Sequence, residues 1–156
     1  MINLTSKEIK GYASSSIARN ENKDCFVRAL AAGFEIGYND AHAIAKDRFK
    51  REDKKGTKNE YIVSGMKEIE ESGIAIGDVI AKVKVLKGLD IKNRYKLYGE
   101  LIDRKKTVKS FIKDHPKGNY IVTVSKHAFA LKDGKLIDNK GEEFRPTRKV
   151  DGAYEI

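Results

Sequence analysis

The chain has 156 residues, 40% of them apolar and 35% charged, with a formal net charge of +9. That length supports one domain with a real core and is short for two, and no window has the apolar length of a membrane-spanning helix. Cys25 is the single cysteine, which excludes an internal disulfide; with three scattered histidines it also argues against a thiolate zinc centre and fits a reducing compartment.

The opening Met1-Ile2-Asn3-Leu4-Thr5-Ser6-Lys7-Glu8 lacks the basic-then-apolar order of an export signal, so a cytoplasmic location is expected. Thr5 to Glu8 has the spacing of a capping box, in which a hydroxyl and a carboxylate satisfy the free amides of a helix start, and predicts a helix to about Ile17. Residues 19–23 read as a polar loop closed by Asp24 as an N-cap. Phe26, Val27, Leu30, Ala31 and Phe34 recur at helical spacing, which predicts a buried helix ending near Gly33 with Cys25 on its first turn. Asn39 or Asp40 is expected to cap the next helix, whose apolar face is Ala41, Ile44, Ala45 and Phe49. After a charged loop, Thr57 to Glu60 offers a second capping box and predicts a helix to about Ser72. Residues 74–106 are ambiguous: Val79 to Val85 alternates like a strand, whereas Arg94 to Leu101 can be read as helical. Thr107 to Ile112 reads as a short helix stopped by Pro116 and Gly118. Tyr120 to Val124, His127 to Lys132 and Lys135 to Ile137 are expected strands, with Asp133-Gly134 as a two-residue turn, and Arg148 to Ile156 can add another.

With Asp133 and Gly134 in the turn, Lys132 faces Lys135 and Phe129 faces Asp138 across the hairpin. Side chains two apart on a strand share a face, so His127 lies on the same side as Asp138 and diagonal to it. A carboxylate there fixes the imidazole's tautomer and leaves its other nitrogen for a thiol. Cys25 supplies that thiol, at a helix start whose unpaired amides and partial positive charge stabilise a thiolate. The plainer readings are a solvated strand histidine and a small buried apolar cysteine.

Cys25 opening a helix after a polar loop, with His127 opening a late strand and Asp138 following, resembles the papain-like cysteine peptidases, in particular the smaller C39-like branch. Asp24-Cys25-Phe26-Val27-Arg28-Ala29-Leu30 and the run from Tyr120 to Ala130 also resemble short phage proteins described as cysteine peptidases. The likeness covers roughly residues 19–50 and 107–139. It implies an α+β, papain-like fold over residues 1–156, with N-terminal helices packed on a C-terminal antiparallel β-sheet. It also implies a thiol hydrolase acting on a peptide or protein substrate through Cys25, His127 and Asp138, in the host cytoplasm if phage-encoded. Papain-like enzymes place a glutamine about six residues before the cysteine as an oxyanion donor. This chain contains no glutamine and has Arg19 at that spacing, so Asn20 with the Cys25 amide is expected to take the role.

His42 and His115 read as surface residues without carboxylates at metal-ligand spacing, so neither a metal nor a cofactor is expected. From Lys82 to Lys113, eleven Lys or Arg stand against Asp90, Glu100 and Asp103, which supplies eight of the nine excess charges. Interleaved with Tyr95 and Tyr98, that stretch is a candidate nucleic-acid surface, a solvated face being the alternative. A thiol acyltransferase or amidase would use the same three residues, and a degenerate peptidase scaffold binding a host protein or nucleic acid is the reading from a different class. The pattern leaves the oligomeric state open.

Overall fold

The structure is a computed structural model that describes residues 3–4, 9–12, 14–19, 23–137 and 147–156. It is a mixed α+β arrangement built on a six-stranded sheet. In chain order the elements are β1 (Asn3–Leu4), α1 (Ser16–Arg19), α2 (Cys25–Phe34), α3 (Tyr38–Phe49), α4 (Asn59–Ser72), β2 (Ile74–Ile76), β3 (Val79–Ala81) and β4 (Lys84–Val85). They continue as β5 (Lys92–Leu97), β6 (Glu100–Lys105), α5 (Val108–Asp114), β7 (Asn119–Val124), β8 (His127–Lys132), β9 (Lys135–Ile137) and β10 (Val150–Glu155). The sheet order is β1-β9-β8-β7-β10-β4, antiparallel except where β1 runs parallel to β9. Two small hairpins, β2-β3 and β5-β6, stand outside it.

The sheet is buried on both sides, and residue size on each side differs. Tyr120, Val122 and Val124 of β7 and Phe129 and Leu131 of β8 pack with Val108 and Phe111 of α5. Ile121, Ala128 and Ala130 face the other way and join Phe26, Val27 and Leu30 of α2 together with the cores of α3 and α4. The alanines on β8 leave room for the backbone of α2 to lie against the strand. Gly33 serves the same close approach from the helix, since a Cβ there would come within 2.7 Å of Ile156 and 2.8 Å of Ile121. Helix α2 is apolar nearly all round, with eight of its ten residues buried, as a helix between a sheet and other helices must be.

Several sequence expectations shift. Over the described part of the expected first helix, residues 9–12 form a turn and only the four-residue α1 is helical, because Gly11 adopts φ +75° and turns the chain. The Ser15 hydroxyl then accepts from the Ala18 amide at 3.0 Å; the Thr5 to Glu8 capping box lies outside the described residues. Helix α3 begins two or three residues early, with Gly37 before its first residue, and Asn39 instead accepts a hydrogen bond from Ser15. Lys58 precedes α4 with no side-chain cap, and the Thr57 hydroxyl is buried with no hydrogen-bond partner among the described residues, so that capping box is not formed. The segment from Val79 to Val85 divides, β3 pairing with β2 and β4 joining β10. Arg94 to Leu101 is not helical: Tyr98 at φ +50° and Gly99 at φ +80° close a two-residue turn between β5 and β6. His42 is buried rather than on the surface, its Nε2 3.4 Å from Arg51 Nη1.

Other expectations match. Helix α2 ends within a residue of Gly33, Thr107 caps α5 by accepting from the Ser110 amide at 3.1 Å, and Lys132 pairs with Lys135 around the Asp133-Gly134 turn. Among the described residues, no helix is long and apolar enough to cross a membrane.

Two outcomes follow from packing and charge. A Cβ at Gly65 on α4 would meet the buried Phe49 ring at 2.5 Å and the Arg48 carbonyl oxygen at 3.0 Å. Alanine's helix propensity favours Gly65→Ala by about 1 kcal/mol, but overpacking costs about 1–3 kcal/mol, so the variant is expected to lose stability in urea unfolding. The hydrogen bond and charge of the buried Lys106 ammonium hold the Asp114 carboxyl below its ordinary value. The pair's contribution is therefore present above the unfolded carboxyl value of about 3.9 and lost as pH falls through the folded one. Asp114→Asn is expected to lower Tm at neutral pH and to shrink the further drop on acidification, as followed by circular dichroism.

Candidate active site

Lys23 adopts φ +54° and turns the chain into α2, so that Asp24 points inward and Cys25 opens the helix. Asp24 makes no capping bond, contrary to the sequence expectation. Its carboxylate is buried, 2.5 Å from the Arg28 guanidinium one turn along the helix, and accepts a hydrogen bond from the Tyr38 hydroxyl at 2.6 Å. Arg28 in turn lies over the Tyr12 ring at 5.3 Å, and the Tyr12 and Tyr38 rings meet edge to face. A charge pair so fully withdrawn from water holds the start of α2 at a fixed height. It does so by coupling that helix to α3 and to the 9–12 turn.

Cys25 is half-buried against the core on its helix side and lines a cavity of about 650 Å³ on the other. Three segments enclose this space. The first is the start of α2, with Lys23, Cys25 and Phe26; the second is the loop into α4, Gly56 to Asn59, backed by Ile62. The third is the β7-β8 turn, from which Thr123, Val124, Lys126, His127 and Ala128 contribute. Lys126 at φ +59° makes that turn tight. The structure thus brings Cys25 and His127, about a hundred residues apart, to one cavity.

His127 enters from an unexpected side. It is the first residue of β8 and pairs with Val124, and its ring centroid lies 6.1 Å from that of Phe129. Alternation puts it on the α5 side of the strand with Phe129 and Leu131, while Ala128 and Ala130 face α2. The two residues therefore line the cavity from opposite faces of the sheet, at its end beside the 125–126 turn. Asp138 and Asn20, the expected orienting carboxylate and oxyanion donor, lie outside the described residues. The described hairpin ladder ends at the pair Ala130 and Ile137.

Three cavity features were missed in the sequence. Lys23, Lys58 and Lys126 give it a cationic rim, and no Asp or Glu is among its described lining. Asn59 adds a carboxamide side chain to the lining, and Thr57 joins it with its hydroxyl buried. No spacing rule links these to Cys25; the loop reaches the site only because α4 packs behind α3. Among the described residues, no cluster of three or more His, Cys, Asp or Glu is placed to hold a metal ion.

Removing one partner of the buried pair leaves the other charge stranded. Asp24→Asn is expected to cost about 3–5 kcal/mol of unfolding free energy, and Tyr38→Phe about 1–3 kcal/mol, with a double mutant falling short of the sum. Chemical denaturation of the four proteins measures this.

No protein-family model matches the chain, and neither the curated proteins nor the solved structures show a significant similarity to it.

Proposed function

We propose that the protein is a thiol hydrolase of the cysteine peptidase kind, on a papain-like arrangement of helices and sheet. The observation that carries this reading is the shared cavity: Cys25 on the first turn of α2 and His127 at the start of β8 both line it. In the proposed reaction His127 takes the thiol proton, and the Cys25 sulfur adds to the carbonyl carbon of a peptide or other acyl substrate. Asn20 and the Cys25 amide stabilise the oxyanion, and Asp138 keeps the imidazole aligned. As the carbon–nitrogen bond breaks, His127 returns the proton to the leaving amine, which gives a thioester on Cys25. Water, deprotonated by His127, then adds to the thioester carbonyl and releases the carboxylic acid and the thiol. A thiol acyltransferase would follow the same course with another acceptor in place of water.

The cytoplasm, reducing enough to keep Cys25 a thiol, suits this chemistry. The strand side taken by His127 favours a second reading, in which the cavity binds a host protein segment without cleaving it. The two separate on acylation. With 4-nitrophenyl acetate, intact-mass spectrometry is expected to show one acetyl group on Cys25 that is lost on standing. His127→Ala is expected to slow acetylation by about a hundredfold or more, the usual worth of a general base. Acetylation at equal rates in both proteins removes the hydrolase reading and leaves the binding one.

A further inference from the structure

The β5-β6 hairpin has two unlike faces. On one, Arg94 is ion-paired to Asp103 at 2.8 Å, and beyond it Lys105 is paired to Asp151 at 2.6 Å. The hydrogen bond and charge of Asp103 raise the Arg94 guanidinium further above its already high value, while Lys96 on the same face is in no ion pair among the described residues. The other face carries Tyr95, Leu97, Ile102 and Arg104, with Glu100 its carboxylate at the tip. Tyr95, Ile102 and Arg104 of that face, Lys96 and the ion-paired Lys105 of the opposite one, and Lys149 before β10 line a groove of about 330 Å³, with no carboxylate among its described lining. Lys96, Arg104 and Lys149 are exposed, and none of them is ion-paired among the described residues. Tyr95 is 51% exposed and Leu97 42% exposed.

We infer that this groove binds single-stranded nucleic acid, its backbone phosphates against Lys96, Arg104 and Lys149 and a base stacked on the Tyr95 ring. Unpaired cations beside an exposed aromatic ring are what such a strand requires, because phosphates supply the missing charge and every base has a flat face to stack. A second copy of this chain fits poorly, since pairing two such faces would oppose like charges. The groove lies on the hairpin arm and involves neither Cys25 nor His127, so the inference is independent of the hydrolase reading.

Fluorescence anisotropy on the full chain tests it, with labelled oligothymidylate and oligouridylate of about 20 nucleotides at about 50 mM salt, beside a duplex of equal length. Expected are binding of one or both single strands over the duplex and a loss of about tenfold in Tyr95→Ala, the size of one lost stacking contact. The double variant Arg104→Glu, Lys149→Glu is expected to abolish binding and Lys67→Glu on α4 to leave it unchanged; oligothymidylate against oligouridylate tells DNA from RNA. All four residues are on exposed surface, so circular dichroism spectra like the parent's are expected. No binding at low salt, binding unchanged in the double variant, equal duplex affinity, or capture of phosphatidylserine vesicles in place of the oligonucleotides overturns the inference.

Discussion

The seating of α2 on β8 governs the geometry of the whole molecule. Ala128 and Ala130 keep the strand low on the side where Phe26, Val27 and Leu30 press down, while Phe129 and Leu131 fill the opposite layer against α5. Larger side chains at the two alanines would lift the helix, and with it Cys25, away from the β7-β8 turn. The hydrophobic layer sets the distance between helix and sheet, and the Asp24, Arg28 and Tyr38 cluster sets where along that layer the helix begins. Apolar packing alone is tolerant of sliding; a buried charge pair with a directional hydrogen bond from Tyr38 is not, which is a reason to keep one despite its desolvation cost.

How much could be read from the residues depended on how local the governing forces are. Asp133-Gly134 is a turn by its own backbone preferences, so the hairpin and its register were legible. The 3.6-residue recurrence from Phe26 to Phe34 likewise marked α2. Tyr98-Gly99 was not legible, because tyrosine seldom takes the left-handed conformation and the flanking strands carry charged residues on both faces. At the site, Cys25 and His127 could be nominated by residue type and order, whereas the 56–59 wall is purely tertiary. The side of the strand that His127 occupies is legible in the alternation of small and large residues from His127 to Leu131, and not in the hairpin's register alone.

The two sites use the surplus of positive charge differently. Around the cavity, Lys23, Lys58 and Lys126 are single residues from three segments, and they surround a thiol. On the hairpin arm, Asp103 and Asp151 pair with Arg94 and Lys105, whereas Lys96, Arg104 and Lys149 around one groove are in no ion pair among the described residues. Net charge by itself only predicts solubility and weak attraction to polyanions. The uneven pairing of that charge is what turns a composition into a surface with a direction.

The borders of the central sheet carry a further consequence. Both outer strands, β1 and β4, are two residues long, and β4 includes Lys84. The long, strongly apolar strands β7 and β8 are enclosed between neighbours, so little unsatisfied backbone is offered for another chain to extend the sheet. A sequence such as Tyr120 to Val124, which in isolation would stack readily into fibrils, is in this way kept from seeding them.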